Sequence, residues 1–222
     1  MFFNANGIEL YYEKTGHGDP VILLHGNGED NTIFNVLIEE LSPKYTVYAI
    51  DSRDHGKSGK VETLDYETMM EDVAELIKEL EIRRPMLFGF SDGGIIGLLM
   101  AIRYPTLLSK LIVSGANTHP GGARKIFTIL GNIVYFFSRD RKFKLMLTQP
   151  DITAAELNMI SVPTLVLAGS RDFVRESHTR EIAENIPGSE LRILKGETHT
   201  SYVIRSKKLY GIIEPFLQTQ LT

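Results

Sequence analysis

The 222-residue chain contains no cysteine, which rules out a disulfide framework and fits a reducing compartment. It also lacks a His-Glu-x-x-His pair, so a zinc site has no support in the sequence. Gly56-Lys57-Ser58 resembles the end of a phosphate-binding loop, but Asp51 stands where that loop needs its first glycine. We therefore expect no metal and no organic cofactor.

No apolar run approaches the roughly 20 residues of a membrane span, and residues 1–7 lack the basic and apolar segments of a signal peptide. The formal net charge is −4, and no basic stripe interleaved with aromatic residues is present, which argues against nucleic acid as a partner. We therefore predict a cytoplasmic protein with no membrane span and no nucleic-acid partner.

Apolar strand patterns alternate with amphipathic helix patterns along the chain. In residues 66–80, apolar side chains recur every three or four positions, which predicts a helix packed on a sheet. Tyr66 in this stripe is assigned to the core rather than to a binding site. The alternation predicts an α/β fold with a mostly parallel, doubly wound sheet and helices on both faces. We expect one domain, residues 1–222, that buries roughly 70% of its unfolded surface.

Ser91 lies in the run Gly89-Phe90-Ser91-Asp92-Gly93, between a strand pattern at 85–88 and a helix pattern at 95–101. A serine at such a strand-to-helix corner is held on a strained backbone, with its hydroxyl above the sheet edge. Glycines flank it because strand and helix come too close for a Cβ atom. Since a glycine-rich turn would contain the same five residues, the downstream sequence decides between the two interpretations.

An acid and a histidine follow Ser91 beyond two later strand patterns. The pattern at 163–169 leads to Asp172, and the pattern at 191–194 leads to His199. Since parallel strands end at one edge of a sheet, the three side chains are predicted to meet there. Their order is that of elbow-type serine hydrolases, with His199 as the base and Asp172 as the acid that orients it.

A further strand pattern, at 20–24, ends in His25-Gly26-Asn27-Gly28. Glycine-rich backbone there can turn an N–H group toward the nucleophile, and the residue after the serine supplies a second one. We assign the oxyanion hole to the backbone N–H groups of Asn27 and Asp92. His25 is interpreted as a structural histidine that bonds nearby loops.

Together these segments resemble the α/β-hydrolase superfamily, in its order and over nearly the whole chain. The resemblance rests on the elbow and on residues 21–28, 51–58, 162–172 and 196–199. One position departs from it, because the superfamily loop usually reads Asp-x-Arg-Gly-x-Gly-x-Ser and Asp54 replaces the first glycine. Aspartate tolerates left-handed backbone better than most residues, so we expect the turn to be kept.

The resemblance implies an α/β-hydrolase fold in which residues 117–158 form a short cap insertion over the active site. Residues 126–137 are apolar nearly all round, so we expect them to be covered on several sides. The candidates are an apolar acyl pocket, a second subunit in a homodimer formed through the cap, and lipid. We interpret the charged run 139–144 as a solvated face, with an anchor for anionic headgroups as the alternative.

Asp92 has two interpretations. The run Gly-x-Ser-Asp-Gly-Gly at 89–94 resembles the biphenyl-hydrolase-like amino-acid-ester hydrolases, in which an aspartate follows the serine. That resemblance implies that Asp92 binds the α-amino group of an aminoacyl ester. Alternatively, Asp92 is only a carboxylate at a helix N-terminus, where its charge is favourable.

We predict a serine hydrolase that cleaves small carboxylic esters, aminoacyl esters among them, through an acyl-enzyme on Ser91. A carbon–carbon bond hydrolase, a lactonase and a thioesterase would share Ser91, Asp172 and His199 and differ in the pocket. The alternatives from other classes are a non-catalytic ligand-binding protein of the same fold and a lipase-like enzyme at a membrane surface.

Overall fold

Eight strands and eight α-helices occur in residues 1–219, which are the residues that the computed structural model describes. The strands are β1 (Phe2–Ala5), β2 (Ile8–Gly16), β3 (Asp19–Leu24), β4 (Tyr45–Ile50), β5 (Met86–Phe90), β6 (Lys110–Ser114), β7 (Thr164–Gly169) and β8 (Glu190–Leu194). The helices are α1 (Asn35–Leu41), α2 (Tyr66–Glu79), α3 (Asp92–Arg103), α4 (Lys125–Ser138), α5 (Arg141–Thr148), α6 (Ala154–Leu157), α7 (Glu176–Asn185) and α8 (Lys208–Gln218).

The strands form one sheet in the order β1-β2-β4-β3-β5-β6-β7-β8. The β1–β2 and β2–β4 pairs are antiparallel, whereas every pair from β4 to β8 is parallel. One apolar layer packs α1 and α8 against the sheet, and a larger one contains buried residues of α2, α3 and α7. The predicted α/β fold, with a mostly parallel, doubly wound sheet, is confirmed.

Strands β3, β5, β6 and β7 read as continuous apolar runs because helices cover both of their faces. Their registers place Leu24 beside Gly89, Gly89 beside Val113, and Val113 beside Val166. The carboxyl ends of these strands therefore lie along one edge of the sheet. The loops that follow them at this edge carry the residues singled out in the sequence.

Residues 117–158, between β6 and β7, contain a short 3-10 turn at Pro120–Gly122 and the helices α4, α5 and α6. No residue of α4 is buried. No helix within residues 1–219 has the length and hydropathy needed to cross a membrane.

Asp54 keeps the predicted left-handed turn, with a φ of 65°. Its buried carboxylate accepts hydrogen bonds from Arg141 Nε at 2.7 Å and Nη2 at 3.0 Å, and from Lys142 Nζ at 3.1 Å. Both cations begin α5, so Asp54 ties residues 117–158 to the loop that follows β4. The interpretation of 139–144 as a purely solvated face is therefore wrong for Arg141 and Lys142.

Asp54→Asn is expected to lower the free energy of unfolding by about 1–2 kcal/mol, because it removes the negative charge that strengthens these hydrogen bonds. The loss stays this small because water can solvate Arg141 in the variant. Asparagine accepts positive φ as aspartate does, so the turn itself is kept. Burial raises the pKa of Asp54, but hydrogen bonds from Arg141 and Lys142 outweigh it and lower the pKa to about 2, from an ordinary 3.8. The stability that the ionised Asp54 contributes to the fold is thus present above pH 3.8 and is lost as the pH falls toward 2.

Urea unfolding at pH 7 measures this change, with Asp54→Gly as the matched control for the positive-φ turn. Both variants should show faster proteolysis within residues 117–158. The turn at position 54 should be kept in both, because asparagine and glycine accept a positive φ. A wild-type-like unfolding midpoint in both would mean that the ion pairs do not hold α5 in place.

Candidate active site

Ser91 occupies the sharp turn between β5 and α3, with a φ of 53° and a ψ of −113°. Positive φ in a non-glycine residue is strained backbone of the kind found at functional sites. A Cβ atom on Gly89 would overlap the backbone of Gly93, and one on Gly93 would overlap the backbone of Leu24. The two glycines are therefore required by the close approach of strand and helix, as the sequence predicts.

The structure brings Ser91, His199 and Asp172 together. Ser91 Oγ lies 3.1 Å from His199 Nε2, and His199 Nδ1 lies 2.7 Å from Asp172 Oδ1. Asp172 Oδ1 also accepts a hydrogen bond from the Val174 N–H at 2.9 Å, which fixes the carboxylate. A hydroxyl, an imidazole and a buried carboxylate in this sequence form an arrangement that can remove the serine proton.

The imidazole of His199 is held between two aromatic rings. The ring centroids of Phe173 and Phe90 lie 4.0 Å and 4.8 Å from that of His199. A Cβ atom on Gly115 would approach the imidazole within 3.0 Å, so the loop after β6 closes a third side. Packing on these sides leaves His199 little freedom to turn away from Ser91.

The two residues predicted to supply the oxyanion hole are in contact beside Ser91. The Asn27 side-chain amide donates a hydrogen bond to Asp92 Oδ2 at 2.9 Å. Neither backbone N–H of the two residues donates to a protein acceptor within residues 1–219. Both N–H groups are therefore free to bind an acceptor on a ligand.

His25 bonds the neighbouring loops, as the sequence predicts. Its Nε2 accepts the Ser52 N–H at 3.0 Å, which leaves Nδ1 to donate to the Gly26 carbonyl at 2.8 Å. Burial lowers the pKa of this imidazole, so it is neutral and has no free nitrogen to act as a second base.

A cavity of about 450 Å³ opens onto Ser91 and His199. Helices α4 and α5 form its roof with apolar side chains. Its lining also includes three acidic residues, Asp92, Glu29 and Asp140. The apolar roof residues are Phe127, Leu130, Val134, Phe143, Met146 and Leu147.

Asp92 is 3% exposed and has only neutral hydrogen-bond donors. Tyr66 Oη donates to its Oδ1 at 2.8 Å, and Asn27 donates to its Oδ2. Burial raises the pKa of Asp92 to about 6, against these two hydrogen bonds, which lower it. A buried carboxylate without a cation is costly, so this wall of the cavity is suited to a ligand that carries a positive charge.

Comparison with known proteins agrees with this geometry. The model of the alpha/beta hydrolase fold family matches residues 19–142, more than half of the chain. The chain belongs to the α/β-hydrolase family. It is 29% identical to the human serine hydrolase BPHL, over 96% of this chain and 84% of that protein. The AB hydrolase superfamily protein YisY of Bacillus subtilis is 26% identical, over 94% of this chain and 95% of that one.

Solved structures of α/β-hydrolases share the fold. The Bacillus anthracis bromoperoxidase superposes with a TM-score of 0.85 at 22% identity, covering 96% of both chains. An esterase from Exiguobacterium antarcticum has a TM-score of 0.83 at 24% identity, over 98% of this chain and 99% of that one. At these identities the likeness concerns the fold alone. The family match and the similarity to the related hydrolases make this chain a hydrolase, and the solved structures agree with its α/β-hydrolase fold.

The sequence did not indicate one contact of Asp92 and one residue that lines the cavity. Tyr66 is a core residue, as predicted, and its hydroxyl also donates a hydrogen bond to Asp92 Oδ1. Glu29 lies in the loop after β3, where its Oε2 accepts the Gly26 N–H at 3.0 Å, and burial raises its pKa. The position of Glu29 directly after the glycine-rich segment 26–28 is the one signal that could have indicated it.

Proposed function

We propose that this α/β-hydrolase cleaves small carboxylic esters through an acyl-enzyme formed on Ser91. The observation that carries the proposal is the unbroken hydrogen-bond chain from Ser91 through His199 to Asp172, beside a cavity with an apolar roof. A protein that only binds a ligand does not need these three side chains to be joined by hydrogen bonds. In this proposal the whole chain is one domain, with residues 117–158 as its cap.

The reaction has two halves. His199 Nε2 takes the proton from Ser91 as Oγ bonds to the ester carbonyl carbon, and the N–H groups of Asn27 and Asp92 stabilise the oxyanion. The intermediate then expels the alkoxide, which receives the proton from His199. Water attacks the acyl group with His199 again as the base, which releases the acid and restores Ser91. Asp172 stabilises the imidazolium formed in both halves.

Mass spectrometry after rapid quenching tests this mechanism. Incubation with a slowly deacylating short-chain ester is expected to add the acyl mass to the peptide that contains Ser91. A panel of matched acyl esters, aminoacyl esters, lactones and thioesters then ranks the bond types by kcat/KM. Preference for a lactone or thioester would keep the nucleophile and replace the ester assignment. Turnover without any covalent adduct would contradict the proposed intermediate.

We propose further that Asp92 binds the ammonium group of an aminoacyl ester. The carboxylate is buried in the cavity wall beside Ser91, and its two protein partners are neutral. An ammonium group would supply the missing opposite charge at the place where the acyl part of a substrate must lie. The proposal agrees with the likeness to the biphenyl-hydrolase-like enzymes.

Asp92→Asn is expected to lower kcat/KM for an aminoacyl ester by about 10- to 100-fold more than for the matched plain acyl ester, the value of one charge-assisted hydrogen bond. The comparison of leucine and 4-methylpentanoate esters of one alcohol measures it. Glu29→Gln is the matched control, because it removes another carboxylate of the same cavity. Equal losses on both esters would assign Asp92 a purely structural role.

The pH dependence gives a second test of Asp92. Since its pKa is about 6, the wild-type ratio of kcat/KM between the aminoacyl and the acyl ester is expected to fall as the pH drops below about 6. In Asp92→Asn the ratio should be low and should not change between pH 5 and 7. This measuring range is chosen because it brackets the pKa of Asp92.

A further inference from the structure

Helix α4 is an exposed apolar surface. Eight of the eleven large apolar side chains that are exposed in residues 1–219 belong to it, with 41–80% of their surface accessible. They are Ile126, Phe127, Ile129, Leu130, Ile133, Val134, Phe136 and Phe137. Soluble proteins rarely leave such a contiguous patch uncovered unless it binds something.

The charges around α4 are almost all positive, although the chain as a whole has a net charge of −4. No acidic residue occurs within the helix, and Asp140 is the only acid between positions 124 and 144. Exposed cations flank the helix on both sides and form no ion pair within residues 1–219. They are Arg124, Lys125, Arg139 and Lys144.

We propose that α4 docks this protein on an anionic phospholipid bilayer, lying in the plane of the interface. An apolar helix bordered by cations has the two attractions that interfacial helices use, apolar burial and pairing with anionic headgroups. With 14 residues, α4 is about 21 Å long, too short to span a bilayer. The helix therefore lies on the surface and does not cross it.

The docking helix is also the roof of the active-site cavity. Phe127, Leu130 and Val134 line that cavity and are themselves half or nearly half exposed. A bilayer in contact with α4 would therefore lie against the roof of the cavity.

A second copy of the chain fits α4 less well than a bilayer does. A two-fold axis that packs α4 antiparallel against its copy sets Arg124 and Lys125 of one chain opposite Arg139 of the other. A parallel arrangement sets each cation opposite its own copy. Like charges meet in both cases, which disfavours the homodimer through the cap, whereas an anionic surface complements all four cations.

Vesicle co-sedimentation tests the proposal with the intact chain. Binding is expected to vesicles of three parts phosphatidylcholine to one part phosphatidylserine, and to weaken strongly in high salt. Binding to pure phosphatidylcholine vesicles should be weaker by at least tenfold. No sedimentation with the anionic vesicles at low salt would overturn the proposal.

Three double variants separate the two attractions. Phe136→Ser with Phe137→Ser removes apolar surface that does not line the cavity, and it should abolish binding. Arg139→Gln with Lys144→Gln should weaken binding about fivefold for each charge removed. Arg83→Gln with Arg84→Gln removes the same charge from the loop before β5, at the opposite end of the sheet, and should bind like the wild type. Equal binding by all three would assign the attraction to another surface.

Sedimentation equilibrium decides the competing case. The wild type is expected to be monomeric without vesicles. A dimer that dissociates in the Phe136→Ser, Phe137→Ser variant would show that a second copy covers α4 and would overturn the bilayer proposal. Hydrolysis of a water-soluble short-chain ester by the same samples reports on the proposed function separately, because neither phenylalanine touches the cavity.

Discussion

Ser91→Ala is expected to lower kcat/KM on the best ester of the panel by a factor of about 10⁴ or more. In the proposed mechanism the Ser91 hydroxyl forms the covalent bond to the substrate, so its loss removes the acyl-enzyme path. Removal of a nucleophilic serine in comparable hydrolases costs up to about 10⁶-fold in rate. The residual rate would come from the proposed oxyanion hole and from substrate binding.

Labelling by a fluorophosphonate probe gives the same test without a known substrate. The wild type should be labelled on Ser91, and Ser91→Ala should not be labelled. Ser91→Gly serves as the folding control, because it removes the same hydroxyl and relieves the strained φ of 53°. An inactive Ser91→Gly that melts at or above the wild-type temperature separates lost chemistry from lost structure. Undiminished labelling in both variants would place the nucleophile elsewhere.

The position of the candidate site at one edge of the sheet could be predicted from the sequence, because it depends only on which strands the three residues follow. Ser91, Asp172 and His199 each follow a parallel strand, and parallel strands deliver their carboxyl ends to one side. The turn at Ser91 could also be predicted from its neighbours, because Gly89 and Gly93 indicate the close approach of strand and helix. No side-chain contact had to be known to place these three residues together.

Contacts between distant segments could not be predicted in this way. Asp54 and Arg141 are 87 positions apart, and the sequence around either residue does not indicate a contact with the other. Tyr66 follows the apolar stripe of α2, which indicates its burial but not that its hydroxyl meets Asp92, 26 positions away. Such pairs depend on how the helices pack over the sheet, which the periodicity of each helix leaves undetermined.

Asp172→Asn is expected to lower kcat by about 10⁴-fold, because an amide there fails in either orientation. If its oxygen replaces Oδ1, His199 and Val174 keep their hydrogen bonds, but the charge that stabilises the imidazolium is gone. If its NH₂ group takes that place, it donates to His199 Nδ1 and forces the proton onto Nε2. His199 can then no longer accept the proton of Ser91.

The kcat of Asp172→Asn should stay low across the pH range in which the wild type is active, since no pH in that range restores the lost carboxylate. Asp54→Asn is the matched control, because it also turns a buried carboxylate into an amide, and its kcat should stay within a few-fold of the wild type. A well-folded Asp172→Asn that keeps more than about a tenth of wild-type kcat would mean that another acid supports His199. Glu29 is the candidate in that case, since it lines the same cavity, and Glu29→Gln would then carry the large loss.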